Sequence, residues 1–255
     1  MWKTFVETSG LFKIGCIMQN TMKYLTFFLI AALFVIAGRS SLPAQTVTPS
    51  DGGIFPEGSV ILFQGDSITD GNRGRSEDPN HIHGHGYVYL IASYLGANFP
   101  EKNWTFVNRG VSGDTVEKLA ARWQNDAIGI KPDVISILVG ANVWILDTTP
   151  EEFESSYDRL LAATLEALPN VKFVLIEPFC CQNGGAQMTK EYREAVVRLA
   201  EKYHAPFVSL QNEFDRLTAE SSDPHRWVWD GIHPTTAGHW VIFTRWLDAV
   251  RSADF

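Results

Sequence analysis

The chain has 255 residues, 45% of them hydrophobic and 20% charged, a balance that excludes a disordered or collagen-like polymer and suits one ordinary globular domain. The formal net charge is −8, and beyond residue 44 the imbalance deepens to 17 basic against 28 acidic side chains. So acidic a surface repels phosphate backbones and anionic headgroups, and nucleic acid is not an expected partner.

In chain order, Lys23 precedes a nearly unbroken apolar run, Tyr24 to Ala37, followed by Gly38, Arg39 and small residues up to Ala44. A positive flank, an apolar stretch of about 14 residues and a small residue at its end have the form of a secretory signal peptide. The run is shorter than the about 20 residues that span a bilayer, so no stable membrane span is expected. No cysteine follows it to carry a lipid. Residues 1–44 are therefore read as an export leader, with Met18 and Met22 as alternative starts that would make residues 1–21 an upstream extension. Residues 45–53 read as a short polar tether, and 54–255 as a single domain. Cys16 lies in the leader. Cys180 and Cys181 are sequence neighbours, read as ordinary thiols, so no disulfide framework is expected.

The remainder alternates apolar runs with helical patterns. Val60 to Phe63 reads as a strand ending in a glycine turn at Gly65, and Gly86 to Phe99 carries apolar residues at helical spacing. Residues 104–107 are strand-like, 116–123 helical, and 134–139 a buried strand. Pro150 to Leu168 opens with proline and acids, as a helix start should. Residues 171–176 form a strand, 188–203 a helix, 206–210 a strand and 236–250 the closing helix. Five strands separated by helices predict a parallel sheet covered on both faces, a three-layer α/β/α sandwich. In such folds chemistry collects at the carboxyl ends of the strands.

The segments after those strands are distinctive. After the first comes Gly65-Asp66-Ser67-Ile68-Thr69-Asp70-Gly71, where Ser67 falls at a helix start whose amides favour developing negative charge. Taken alone, Asp66 or Ser67 could simply cap that helix. There is no P-loop and no dinucleotide fingerprint. After the second strand, Asn108-Arg109-Gly110-Val111-Ser112-Gly113 offers glycine amides as donors, or a plain turn. After the third, Gly140-Ala141-Asn142 offers a side-chain amide, or a turn asparagine. Near the C-terminus, Asp230-Gly231-Ile232-His233 sets a carboxylate three residues before an imidazole. A tight turn can bring that carboxylate to Nδ1, leaving Nε2 free to take a proton from a serine.

Together these residues resemble the SGNH, or GDSL-type, esterase and lipase superfamily, with Gly65-Asp66-Ser67, Gly110, Gly140-x-Asn142 and Asp230-x-x-His233 falling in its order across 59–245. The resemblance implies a flavodoxin-like α/β/α sandwich with a five-stranded parallel sheet. It implies Ser67 as nucleophile, His233 as general base and then acid, and Asp230 as its orienting partner. The amides of Ser67 and Gly110 and the side chain of Asn142 would form an oxyanion hole, with no cofactor. One departure stands out: the third block usually reads Gly-x-Asn-Asp, and here Val143 follows Asn142.

Substrate clues are few. His81-x-His83-x-His85 could bind zinc, but no acidic partner or cysteine pair accompanies it, so a polar rim to the site is expected and no metal. His225 and His239 read as structural. Asp66, Trp144 and Trp229 are expected substrate contacts, the tryptophans through apolar ring faces, with core packing under the loops as their alternative. The stretches Gly84-His85-Gly86-Tyr87 and Asn108 to Gly113 resemble bacterial carbohydrate acetylesterases of the superfamily, including acetylxylan esterases. The expected partner is accordingly a small-molecule or polysaccharide ester. A lipase, lysophospholipase or thioesterase on the same triad, and a catalytically weakened glycan-binding relative, remain the alternatives.

Overall fold

The computed structural model describes residues 54–143, 147–182, 185–223, 225–253 and 255, all within one compact unit, 49–255. The expected leader and tether, Cys16 and Trp144 lie outside the described residues.

Five strands, β1 (Val60–Gly65), β2 (Thr105–Asn108), β3 (Val134–Leu138), β4 (Lys172–Ile176) and β5 (Phe207–Val208), form one sheet in the order β2-β1-β3-β4-β5, with every neighbouring pair parallel. This is the doubly wound order of flavodoxin-like folds. Alternation along the strands explains the three layers. Ile61 and Phe63 of β1, Val134 and Leu138 of β3, and Val174 and Ile176 of β4 enter one core cluster. Leu62, Ile135, Ile137, Phe173 and Leu175 enter the other. Because successive side chains point to opposite faces, strands that carry apolar residues on both must be covered on both sides.

The first face is covered by α2 (Tyr87–Asn98), α7 (Gln211–Ala219) and α8 (Thr236–Arg251) through Tyr87, Ile91, Leu95, Phe214, Ile242 and Trp246. The opposite face is covered by α3 (Val116–Asp126), α4 (Pro150–Ala167) and α6 (Lys190–Lys202) through Leu119, Trp123, Phe153, Leu161, Val196 and Leu199. Two short helices, α1 (Ser67–Asp70) and α5 (Gly185–Met188), complete the set. Ser136, the polar residue of β3, is buried because Trp246 Nε1 donates to its hydroxyl at 2.9 Å. α4 begins with a capping box, Thr149 and Glu152 reciprocally bonded, and proline at its first position.

Three sequence expectations are adjusted. The last strand is only two residues long, Phe207–Val208, paired with β4 alone, because Ser209 and Leu210 turn away to donate to the Glu177 carboxylate. The 188–203 helix starts earlier and is interrupted, α5 ending at Met188 and α6 starting at Lys190, with Thr189 between them. Helix α7 was not foreseen. Glu177, just past β4, builds its start by accepting the amides of Leu210 and Gln211 and the hydroxyl of Ser209.

The chain runs from β1 outward to β2 and then back across to β3. The crevice where strand order reverses therefore opens at the carboxyl ends of β1 and β3, where such sheets place their ligands. Ser67 follows β1 there, and Asn142 follows β3. No helix among the described residues is long and apolar enough to cross a membrane.

Candidate active site

Gly65 ends β1 at φ +153°, and a Cβ there would meet the Leu138 carbonyl at 2.2 Å and Thr69 Oγ1 at 2.4 Å. Only glycine lets the chain leave the sheet so tightly against β3. Asp66 then caps α1, its Oδ1 accepting the Ile68 amide at 3.1 Å. Ser67 becomes the first residue of that turn, with its amide bonded to no group among the described residues.

Across the crevice, the turn carrying the imidazole is closed by the Trp229 amide donating to the His233 carbonyl at 3.1 Å and by a Val228–Pro234 bridge. Gly231 sits at φ +87°, and a Cβ there would strike Gln182 Cγ at 2.2 Å. Asp230 Oδ1 accepts the amides of Ile232 (2.9 Å) and His233 (2.7 Å), while Oδ2 lies 2.7 Å from His233 Nδ1. Partial burial pushes the Asp230 carboxyl upward, but the hydrogen bonds from the His233 backbone and ring and from Ile232 outweigh it and hold it below the usual range. A carboxylate so fixed keeps the Nδ1 proton in place and turns Nε2 outward as an acceptor. Nε2 lies 2.8 Å from Ser67 Oγ. Three side chains up to 166 positions apart thus form one continuous line able to move a proton off the serine hydroxyl.

Donors for a developing oxyanion are more constrained than the sequence suggests. Gly110 abuts α1 so closely that a Cβ would lie 2.4 Å from the Asp70 amide nitrogen. Its amide, expected as a free donor, is engaged: it donates to Asn108 Oδ1 at 2.9 Å, because the Asn108 side chain folds back over its own turn. Asn142 spends one Nδ2 hydrogen on the Asp114 carbonyl at 3.1 Å, leaving the second uncommitted among the described residues. Val143 is buried in the core beneath that turn.

Asp66 does not face a substrate. Its side chain is fully buried, and Oδ2 has no hydrogen-bond partner. Burial drives its carboxyl up to about 7, against the pull of the Ile68 amide, the His233 charge and the Ala141 amide. Trp229, by contrast, is 60% exposed, its ring stacked beside His233 at 6.5 Å and 28°.

Several supporting residues escaped the sequence reading. Asn108 is a buried hub whose Nδ2 donates to the carbonyls of Thr69 (2.8 Å), His83 (3.1 Å) and Asp70 (3.4 Å), tying β2 to α1 and to the following loop. Asp70 accepts both Arg75 terminal nitrogens and the Ser112 amide, and Arg73 Nε donates to the Gly110 carbonyl. Their roles had a signal in position, Asn108 and Asp70 being the last residues of β2 and α1. His239 is buried in α8, its Nδ1 accepting the Tyr87 amide at 3.2 Å. Among the described residues, no group of three or more His, Cys, Asp or Glu side chains could hold a metal ion. Cys180 and Cys181 are free thiols.

Residues 63–241 match the model of the GDSL-like lipase/acylhydrolase family. An acetylxylan esterase of Geobacillus stearothermophilus is 34% identical over 207 residues, covering 74% of this chain and 93% of that relative. Among solved structures, LAE5, an alpha/beta hydrolase enzyme from the metagenome of Lake Arreo, superposes with a TM-score of 0.72 at 36% identity, over 80% of this chain and all of that one. A Geobacillus stearothermophilus acetylxylan esterase does so at 0.70 and 32%, over 76% of this chain and 95% of its own. Sequence and architecture agree over the segment that builds the serine–histidine–aspartate line, and the chain belongs to the GDSL-like lipase/acylhydrolase family and is an esterase.

Proposed function

We propose that the chain is an exported serine acetylesterase that removes O-acetyl groups from carbohydrate, acetylxylan or a related polysaccharide. The carrying observation is the unbroken Ser67–His233–Asp230 line, 2.8 and 2.7 Å at its two joints, in a chain whose relative is named an acetylxylan esterase. In the first step Ser67 Oγ attacks the ester carbonyl while His233 Nε2 takes its proton, and the Asp230 carboxylate balances the imidazolium. The tetrahedral oxyanion is received by the Ser67 amide and the free Asn142 Nδ2 hydrogen. Gly110 N–H joins them by sharing its hydrogen with Asn108 Oδ1. The C–O bond to the sugar then breaks, His233 returns the proton to the leaving hydroxyl, and an acetyl-enzyme remains. Water deprotonated by His233 attacks that ester, releasing acetate and restoring Ser67.

The exposed Trp229 ring beside His233 supports a sugar over a flexible acyl chain at the mouth of the site. Residues 1–44 would direct export, with the mature chain starting at Gln45, which N-terminal sequencing of the exported protein checks. Acetate release from acetylated xylan, read against p-nitrophenyl esters of increasing chain length, tests the reaction. The expected result is preference for acetate over octanoate and loss of turnover by about 10⁴-fold or more in Ser67→Ala. A preference for octanoate would instead favour the lipase or thioesterase alternative.

A further inference from the structure

A cavity of about 360 Å³ that the chemistry just described does not use is lined by Asn72, His81, His85, Tyr89, Leu90 and Thr236. From it we infer a glycan-binding subsite, holding sugar rings of the polysaccharide backbone next to the one being deacetylated. The inference rests on the carbohydrate reading above.

Position comes first. Thr236 is three residues past His233, so their Cα atoms are at most about 10 Å apart. Asn72 is five residues past Ser67, with α1 between them, and lies within roughly 12 Å of it. The cavity is thus lined by residues of the segments that follow Ser67 and His233, and its volume is within the range, about 300–1,000 Å³, of small-ligand sites.

The lining selects the ligand. Asn80 and Gly84 complete the wall, and none of the lining residues is Asp, Glu, Lys or Arg. That composition supplies no permanent charge to neutralise a phosphate or a carboxylate, only the titratable imidazoles of His81 and His85, and Leu90 alone is too little aliphatic surface for an acyl chain. Tyr89 is 46% exposed, a costly placement for a large aromatic ring with no ring partner among the described residues. The side chains of Asn72, His85 and Thr236, and the Tyr89 hydroxyl, make no hydrogen bond to any described residue. An open aromatic face ringed by uncommitted donors and acceptors matches a pyranose, apolar on its C–H face and hydroxylated at its edge.

The wall is also fixed in advance. The Gly74 amide donates to the His81 carbonyl at 2.7 Å, the His85 amide to Gly71 at 2.9 Å, and Asn108 holds the His83 carbonyl. Gly84 sits at φ +73° with no room for a Cβ, which would lie 2.6 Å from the Gly71 carbonyl oxygen. A loop pinned this way orders little on binding, so the contacts it makes are retained as affinity.

The test is binding of unacetylated xylotetraose to Ser67→Ala, followed by titration calorimetry, so that no turnover is needed. Adding Tyr89→Ala to that background is expected to weaken binding about tenfold, and Tyr89→Phe to restore most of it. Because the ring is exposed, melting should stay within a few degrees of the parent, which separates lost recognition from lost folding. No saturable binding, or equal binding with and without the ring, overturns the subsite. Failure of the carbohydrate reading itself has a different signature: wild type cleaves p-nitrophenyl acetate yet releases no acetate from acetylated xylan.

Discussion

Asp230 and Asp66 are two carboxylates near one imidazole with opposite surroundings. Asp230 accepts two amides and the ring Nδ1, so it stays ionised and steers the tautomer. Asp230→Asn keeps the shape but reverses the hydrogen-bond polarity at Nδ1, and kcat should fall about 10⁴-fold with little change in melting. Asp66 is fully buried with one oxygen unbonded, its carboxyl pushed up to about 7. Since that value lies above the ordinary 3.8, the folded state holds the proton more tightly than the unfolded. The stability this confers is complete below pH 4 and is lost as pH rises through 7. Asp66→Asn retains the cap on Ile68 and removes the charge. Its melting advantage over wild type should therefore grow between pH 4 and 8, by about 2–4 °C for each kcal/mol relieved. Its kcat at pH 8 should drop modestly, since the His233 imidazolium loses a favourable charge. The sequence disclosed Ser67, Asp230 and His233 because their spacing has a chemical purpose that few other arrangements share. It could not disclose that Asp66 points into the core or that Asn108 occupies the Gly110 amide, because those depend on backbone directions within single turns.

The strands were legible because each is an apolar run between turn residues, and most helices because their apolar residues recur at helical spacing. Helix α7 was missed for a physical reason. It carries little apolar surface, mainly Phe214 and Leu217, and its start is made by Glu177, a residue 34 positions earlier. No local pattern records such a cap. The packing of α2 on α8 likewise includes a polar pair distant in sequence, His239 Nδ1 and the Tyr87 amide, with the two rings stacked at 6.5 Å. Burial lowers the His239 imidazole to about 4, helped by the like charges of His85 and His233. The unfolded chain binds a proton nearer the ordinary 6.5, so the stability contributed by the neutral His239 ring is complete above pH 6.5 and is lost as pH falls toward 4. His239→Asn supplies an acceptor oxygen near the same place without a titrating ring. Melting followed from pH 7 to 4 should decline less steeply in that variant than in wild type.

The whole molecule is a sheet whose strand order sends the chain away from and back across β1, which is why residues from both ends of the sequence meet at one crevice. The first described residues are secured at Phe55. That ring is buried, edge-on to Trp104 at 5.8 Å and to Phe255 at 4.8 Å, and 6.1 Å from Trp246. Trp246 in turn reaches Phe63 of β1 and the hydroxyl of Ser136 in β3, so the first described residues are tied into the middle of the sheet. Phe55→Ala leaves a cavity among rings that cannot close around it, a loss of about 3–5 kcal/mol, or roughly 6–20 °C in melting temperature for a domain of this size. The crevice lies at the opposite, carboxyl end of β1. Well below the lowered melting point, kcat on p-nitrophenyl acetate should therefore change less than twofold. A melting curve within 2 °C of wild type would show that the fold does not depend on this aromatic anchor. A large fall in kcat at low temperature would show instead that strain passes along β1 from one end of the sheet to Ser67.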